Sequence, residues 1–92
     1  MAMTNWKKLI NRTIKDLEEF HPTVKKQNLI ACTLSDEQLL IKFDSGYGGK
    51  EGLPFTAWTE DFVLFPICYD GAEWVGFAPR NPCNLIMTHQ GG

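Results

Sequence analysis

The residues able to do chemistry are few and scattered along the chain. There are three cysteines, Cys32, Cys68 and Cys83, and two histidines, His21 and His89. No two of them sit at the Cys-x₂₋₄-Cys or His-x₃₋₅-His spacing that brings two ligands onto one metal ion. Cys32 and Cys68 lie within strand-like runs, where a cysteine is usually a small buried hydrophobe. Cys83, beside Pro82 at the margin of such a run, is the thiol expected to be accessible. Glu60 and Asp61 are a second candidate, an adjacent carboxylate pair, with Asp70 and Glu73 further along. Adjacent acids on a turn are more often a solvated patch than a general acid and base facing each other across a bond. The glycine-rich run Ser45–Gly52 ends in Gly49-Lys50 and superficially suggests a phosphate loop. That motif needs a glycine separated by four residues from the Gly-Lys pair, Ser or Thr after the lysine, and a helix behind it. Here the positions hold Asp44 and Glu51, and Leu53-Pro54 follows, so a surface loop is the better reading. No catalytic residue, metal ligand or cofactor is assigned. An enzyme built on this chain would have to use Cys83 or the Glu60/Asp61 pair.

The bulk properties narrow the class. Ninety-two residues, 43% apolar and 22% charged, make one domain spanning 1–92. The net charge of −2 is too small to argue for nucleic acid, but it is unevenly spread. Met1–Lys26 holds six basic residues against three acidic ones, and the remainder holds three against eight. Lys7, Lys8, Arg12 and Lys15 with Trp6 form the case for nucleic-acid contact, which Asp16, Glu18 and Glu19 dilute. No apolar run approaches the ~20 residues of a membrane span. Lys7 and Lys8 precede an amphipathic segment rather than an apolar one, so no signal peptide is read. An odd number of unpaired cysteines fits free thiols in a reducing cytoplasm, here expected to be that of a bacterium. The Gly91-Gly92 end raises a ubiquitin-like modifier or sulfur carrier, but that fold places its main helix after a hairpin, whereas here the helix comes before any strand.

The elements that must position these residues follow from periodicity. Trp6, Leu9, Ile10, Thr13, Ile14, Leu17 and Phe20 recur at three- and four-residue steps and predict an amphipathic helix over about 4–20. Thr4 or Asn5 can cap its start, and His21-Pro22 stops it. Residues 28–34 and 39–44 read as two strands of a hairpin, with Leu39, Ile41 and Phe43 on one face. Ser35, three residues before Gln38, also fits a capping box, so a single helical turn is the alternative there. Residues 45–52 form a mobile loop, and Leu53–Asp61 is hardest to read because Pro54 argues against a central strand. Asn84–Met87 is a candidate for one more short strand.

The strongest local signal is Asp70-Gly71 between the apolar runs 62–69 and 73–78, a hairpin with a type I′ turn. That turn sets Tyr69 opposite Ala72, Ile67 opposite Trp74 and Phe65 opposite Gly76. Val63, Phe65, Ile67, Tyr69 and Trp74 then share one face, while Phe62, Leu64, Pro66, Cys68, Val75 and Phe77 share the other. Pro66, lacking an N–H, marks an edge or a bulge. The expected fold is α+β: one N-terminal amphipathic helix packed on a small antiparallel sheet of about four strands, a hairpin–hairpin meander. One helix can cover one face. The second must be covered by the 45–61 segment or by another protein.

From Trp58 onward, Trp58-Thr-Glu-Asp-Phe-Val-Leu-Phe-Pro-Ile-Cys-Tyr-Asp-Gly-Ala-Glu-Trp-Val75, then Pro79-Arg-Asn-Pro-Cys83 and His89-Gln-Gly-Gly92, the chain resembles small uncharacterised proteins encoded by enterobacterial phages and prophages. The resemblance covers the last third and transfers no site residue. It implies a bacterial host setting, in which compact proteins of this size commonly bind and inhibit host proteins, defence systems included. The function expected is a non-enzymatic protein-binding module, its partner a host protein or a second copy in a homodimer. Tyr47, Phe55, Trp58, Trp74, Phe77 and Arg80 are the expected contact residues, because Trp, Tyr and Arg dominate interface hot spots.

Overall fold

The computed structural model describes residues 3–21 and 24–89, so Pro22 and the Gly91-Gly92 end, both weighed above, lie outside the described residues. The protein is α+β. Helix α1 runs Trp6–Phe20 and starts two residues later than the periodicity suggests, because Met3–Thr4 is taken by a short strand, β1. Asn5 is the cap: its backbone is extended and its side-chain oxygen accepts the Lys8 N–H at 2.9 Å, satisfying one of the donors that a helix start leaves free. The buried stripe is Trp6, Leu9, Ile10, Ile14 and Leu17. Phe20 falls off that stripe and is exposed.

The first predicted hairpin does not form. Only Ala31–Cys32 (β2) and Phe43–Asp44 (β3) are strands, and they do not pair with each other. Between them Asp36–Leu39 is a helical turn, α2, closed by the Ser35–Gln38 capping box with bonds of 2.9 and 3.1 Å in the two directions. The box satisfies two backbone-end donors locally, and the turn changes the spacing of buried residues. Leu39 and Phe43 enter the core, whereas Ile41, assigned to the same strand face, is 52% exposed. β3 pairs antiparallel with β1, and β2 pairs with β4 (Ala57–Trp58), extended by Ile30 N–H to Trp58 O and Thr33 N–H to Thr56 O. β4 pairs in turn with β5 (Phe62–Tyr69), and β5 with β6 (Ala72–Pro79). A two-stranded β1–β3 ribbon and a four-stranded β2-β4-β5-β6 sheet therefore replace the expected meander. Pro54 does not oppose an inner strand because it lies before β4 begins. Asn84–Met87 forms no strand.

The second hairpin has the expected register, with Tyr69 opposite Ala72, Ile67 opposite Trp74 and Phe65 opposite Gly76. Both turn residues have positive φ, 51° at Asp70 and 81° at Gly71, as a type I′ turn requires. Pro66 pairs with Val75 without a bulge. The Val75 carbonyl accepts from Thr13 Oγ1 at 3.3 Å, so it points away from β5. Pro66–Val75 is thus a non-hydrogen-bonded pair, and the Pro66 nitrogen also points outward. Since β4 pairs only as far as Leu64, that nitrogen lies on an open edge, where the missing N–H costs no ladder bond.

One face of the four-stranded sheet carries the core. Leu64 and Val75 meet Ile10, Leu9 and Ile14 of α1, with Leu39, Phe43, Phe55 and Ala57 completing the cluster. Trp6 closes its far end. Its ring lies 4.7 Å from Phe43 and 4.9 Å from Phe55, and its indole N–H donates to Leu53 O at 2.9 Å. Gly52 sits against the same ring, where an added Cβ would come within 2.5 Å of Trp6 Cζ2.

Three stability measurements follow. Trp6→Phe keeps the aromatic packing but orphans the Leu53 carbonyl, and urea denaturation should show a loss of about 1–3 kcal/mol. Gly52→Ala should cost a similar ~1–3 kcal/mol by forcing the buried indole aside. Gly49→Ala, where nothing lies within 4 Å, should be neutral or stabilising by up to about 1 kcal/mol.

Candidate functional site

At the end of the sheet away from the Asp70-Gly71 turn, the residues 59–61 between β4 and β5 are held by a polar cluster that no sequence pattern announced. Gln27 is buried and saturated. Its Oε1 accepts from Thr59 Oγ1 at 2.7 Å and from Asp61 N–H at 3.0 Å, while its Nε2 donates to Lys25 O and to Asp61 Oδ2. Its own N–H donates to Glu18 Oε2 at 2.7 Å, tying the turn to α1. Glu60 accepts from Asn28 N–H at 2.7 Å and from Asn28 Nδ2 at 3.1 Å. Arg80 donates from Nη1 to Thr59 O at 2.8 Å, and its N–H donates to Asp61 O. Both carboxylates therefore hold neighbouring segments, Glu60 through the backbone and side chain of Asn28 and Asp61 through the Gln27 side-chain amide. The backbone N–H of Asn28, then its side chain, holds the Glu60 carboxyl below its ordinary titration range.

Beside this cluster lies a cavity of about 570 Å³ whose lining includes Lys25, Asp61, Phe62, Asn81, Cys83 and Asn84. Cys83 is exposed, as expected of the accessible thiol, and it shares this concavity with Asp61. Neither histidine lines it. His21 caps the end of α1 and packs edge-on against Phe77 at 6.0 Å. Among the described residues no group of three His, Cys, Asp or Glu side chains is arranged to hold a metal ion. Lys7, Lys8, Arg12 and Lys15 are all exposed on the outer side of α1.

At the Asp70-Gly71 end, the glycine-rich loop is strapped down. Glu73 is 7% exposed, and its two carboxylate oxygens accept the consecutive N–H groups of Glu51 and Gly52 at 2.9 and 3.0 Å. The Glu73 N–H donates to Ser45 O at 2.7 Å and Gly48 N–H to Gly71 O at 3.3 Å. Tyr47 rides on this loop 70% exposed.

The remaining surface is the second face of the sheet. Leu53–Phe55, offered above as a cover for it, goes to the helix side instead: Phe55 is 6% exposed and stacked on Trp6. Phe77 likewise belongs to the core side, edge-on to Phe62 at 5.7 Å. These two expected contact residues offer little surface, because the indole of Trp6 and the ring of Phe62 claim them. Arg80 is exposed but its guanidinium is engaged at the 59–61 turn. Trp58 and Trp74 do lie on the second face, since Trp58 pairs with Val63 and Trp74 with Ile67. Phe65 and Ile67 close over Gly76, where an added Cβ would clash with both. On this face Ile67 and Gly76 are buried, Val63, Phe65, Trp58 and Trp74 are half-buried, and Tyr69 is 56% exposed. Trp6, Leu9, Ile10 and Ile14 of α1, Leu39 of α2 and Phe43 of β3 join the opposite face. This face thus carries aromatic residues and no charged one.

Because Asn28 bonds the ionised form of Glu60, that carboxylate contributes stability above the unfolded-state titration range and loses it as pH falls through its lowered folded value. Carboxyl-carbon NMR titration should place Glu60 below the other exposed glutamates, and Asn28→Ala should bring it part of the way back, leaving the backbone donor in place. Comparison with known proteins gives no family to lean on: no family model, curated protein or solved structure matches the chain.

Proposed function

We propose that this protein is a protein-binding module whose docking surface is the second face of the β2-β4-β5-β6 sheet. One observation carries the reading: Trp58, Phe65, Tyr69 and Trp74 share a face with no charged residue, while α1, α2 and β3 pack on the other side. An antiparallel sheet with one face in water normally alternates apolar and polar along its strands. β5 does not alternate, and its second face carries the aromatic types that dominate binding hot spots. Of the groups an enzyme would call upon, Glu60 is turned to scaffolding on Asn28 and Asp61 on Gln27, and Cys83 is exposed with neither histidine beside it in its cavity. Trp58 and Trp74 remain as contact residues, with Tyr47 as a second, loop-borne contact. The resemblance to enterobacterial phage and prophage proteins supports a bacterial cytoplasmic setting and a role as an accessory protein that binds or inhibits a host protein, a defence system among the candidates.

The test is association measured with and without the face. Light scattering on the isolated chain and affinity capture from an enterobacterial lysate should each be compared with a Trp74→Lys variant. Any partner that uses this face should bind the variant at least ~30-fold more weakly, the loss of one hot-spot indole, while circular dichroism stays unchanged. Partners captured equally by both proteins would move the docking surface elsewhere.

A further inference from the structure

We propose that residues 45–52 form a hinged lid over a cavity that holds the Cys68 thiol, and that the Glu73 carboxylate is the latch that keeps it shut. The lid lies on the core side of the sheet, at the Asp70-Gly71 end, away from the docking face. The cavity measures about 490 Å³, with Lys50, Gly52 and Pro54 on one side and Pro66, Cys68 and Glu73 on the other. Cys68 and Glu73 are cross-strand partners, so their side chains leave the sheet on the same face. The loop amides meet Glu73 on that face, and the half-buried Cys68 therefore lies beside the loop.

Three features make this loop a lid and not a packed part of the core. It buries no side chain: none of residues 45–52 is buried, and Tyr47, its one aromatic, is 70% exposed. No apolar burial holds it down.

Its attachment to the β5–β6 hairpin is polar and concentrated on one residue. Glu51 and Gly52 N–H donate to the two Glu73 carboxylate oxygens at 2.9 and 3.0 Å, and Glu73 N–H donates to Ser45 O at 2.7 Å. The bond from Gly48 N–H to Gly71 O is longer, 3.3 Å. Charge-assisted bonds are the stronger kind, so the carboxylate carries most of the closure. It is also reversible. An opened lid returns the Glu73 carboxylate and both amides to water, which offsets much of what the broken bonds contributed.

Both ends of the loop are fixed independently of the latch. Upstream, β3 pairs with β1, and downstream the Leu53 carbonyl accepts the Trp6 indole N–H at 2.9 Å. Between them Gly46, Gly48, Gly49 and Gly52 let the backbone swing while the core stays intact. Local opening is drawn from segments of this kind, with few buried apolar contacts and exposed backbone.

Native-state hydrogen exchange tests the lid on the unaltered protein. The Glu51 and Gly52 amides should exchange at least ~100-fold faster than the ladder amides of β5–β6, with almost no dependence on added urea, as local opening requires. Exchange of these two amides only through global unfolding, with its full urea dependence, overturns the lid. Pulse alkylation with iodoacetamide, read at each cysteine by mass spectrometry, tests the latch. Glu73→Gln keeps one acceptor and loses the charge, so Cys68 should react at least ~10-fold faster than in the wild type, with Cys32 and Cys83 unchanged. An unchanged Cys68 rate overturns the latch. Acceleration that spreads to Cys32 also overturns it, because Glu73 then holds the whole domain together and not a lid.

Discussion

The indole of Trp6 is the fixture around which the parts of this protein are assembled. It stands at the first turn of α1, between Phe43 of β3 and Phe55, with its N–H on the Leu53 carbonyl and its ring against the Cα of Gly52. A short chain has little core to spare, and its two-residue strands cannot be stable alone. Drawing β3 and the 52–55 segment onto one buried ring joins the helix to the stretch of chain that has the least regular structure of its own. It also decides the fate of Phe55. Once that side chain is committed to the helix side of the sheet, it is not available to cover the other.

Polar groups complete the same task at the two ends of the sheet. Gln27 collects the 59–61 turn, the Lys25 carbonyl and Glu18 of α1, and every buried side-chain polar atom among the described residues has a partner. Glu73 does the equivalent at the other end, holding two consecutive amides of the glycine-rich loop with one carboxylate. Charge-assisted bonds to backbone N–H are among the stronger polar interactions available to a small domain. The acidic residues that resemble catalytic candidates in the sequence therefore serve as anchors for loops that would otherwise be too rich in glycine, or too short, to hold their place.

With both ends fastened and α1, α2 and β3 packed on one side, the sheet has a second face of uncharged, mostly apolar residues. The reading of this protein as a binding module follows from that imbalance between apolar surface and covering layers. On the edge of β6 the Glu73 N–H is bound by the Ser45 carbonyl and the Val75 carbonyl by Thr13 Oγ1, and Pro66 offers no donor on the open edge of β5, so association through the face would bury apolar area at less cost in unsatisfied backbone.

Much of this was legible in the sequence, and what was legible was local. The three- and four-residue spacing from Trp6 to Leu17 defines the helix, Asp70-Gly71 defines the turn and register of β5–β6, and the two-residue period of an extended strand over 62–69 names the two faces before their surroundings are known. These features are set by backbone geometry over a few residues, so no distant contact can shift them cheaply. Ser35 and Gln38 also carried their signal, as a capping box that competes with strand pairing. Other features required the tertiary structure. Residues 28–34 pair with β4 rather than with 39–44, because the helical turn at Asp36–Leu39 removes the hairpin geometry between them. Met3–Thr4 becomes a strand only because Phe43–Asp44 lies alongside. Phe55 and Trp58, equally aromatic and three residues apart, go to opposite sides of the sheet, and the burial of Gln27 and Glu73 has no local sign. Each of these depends on long-range contacts, the hydrophobic demand of Trp6 or a hydrogen bond spanning 20 to 40 residues, that no short window of sequence contains.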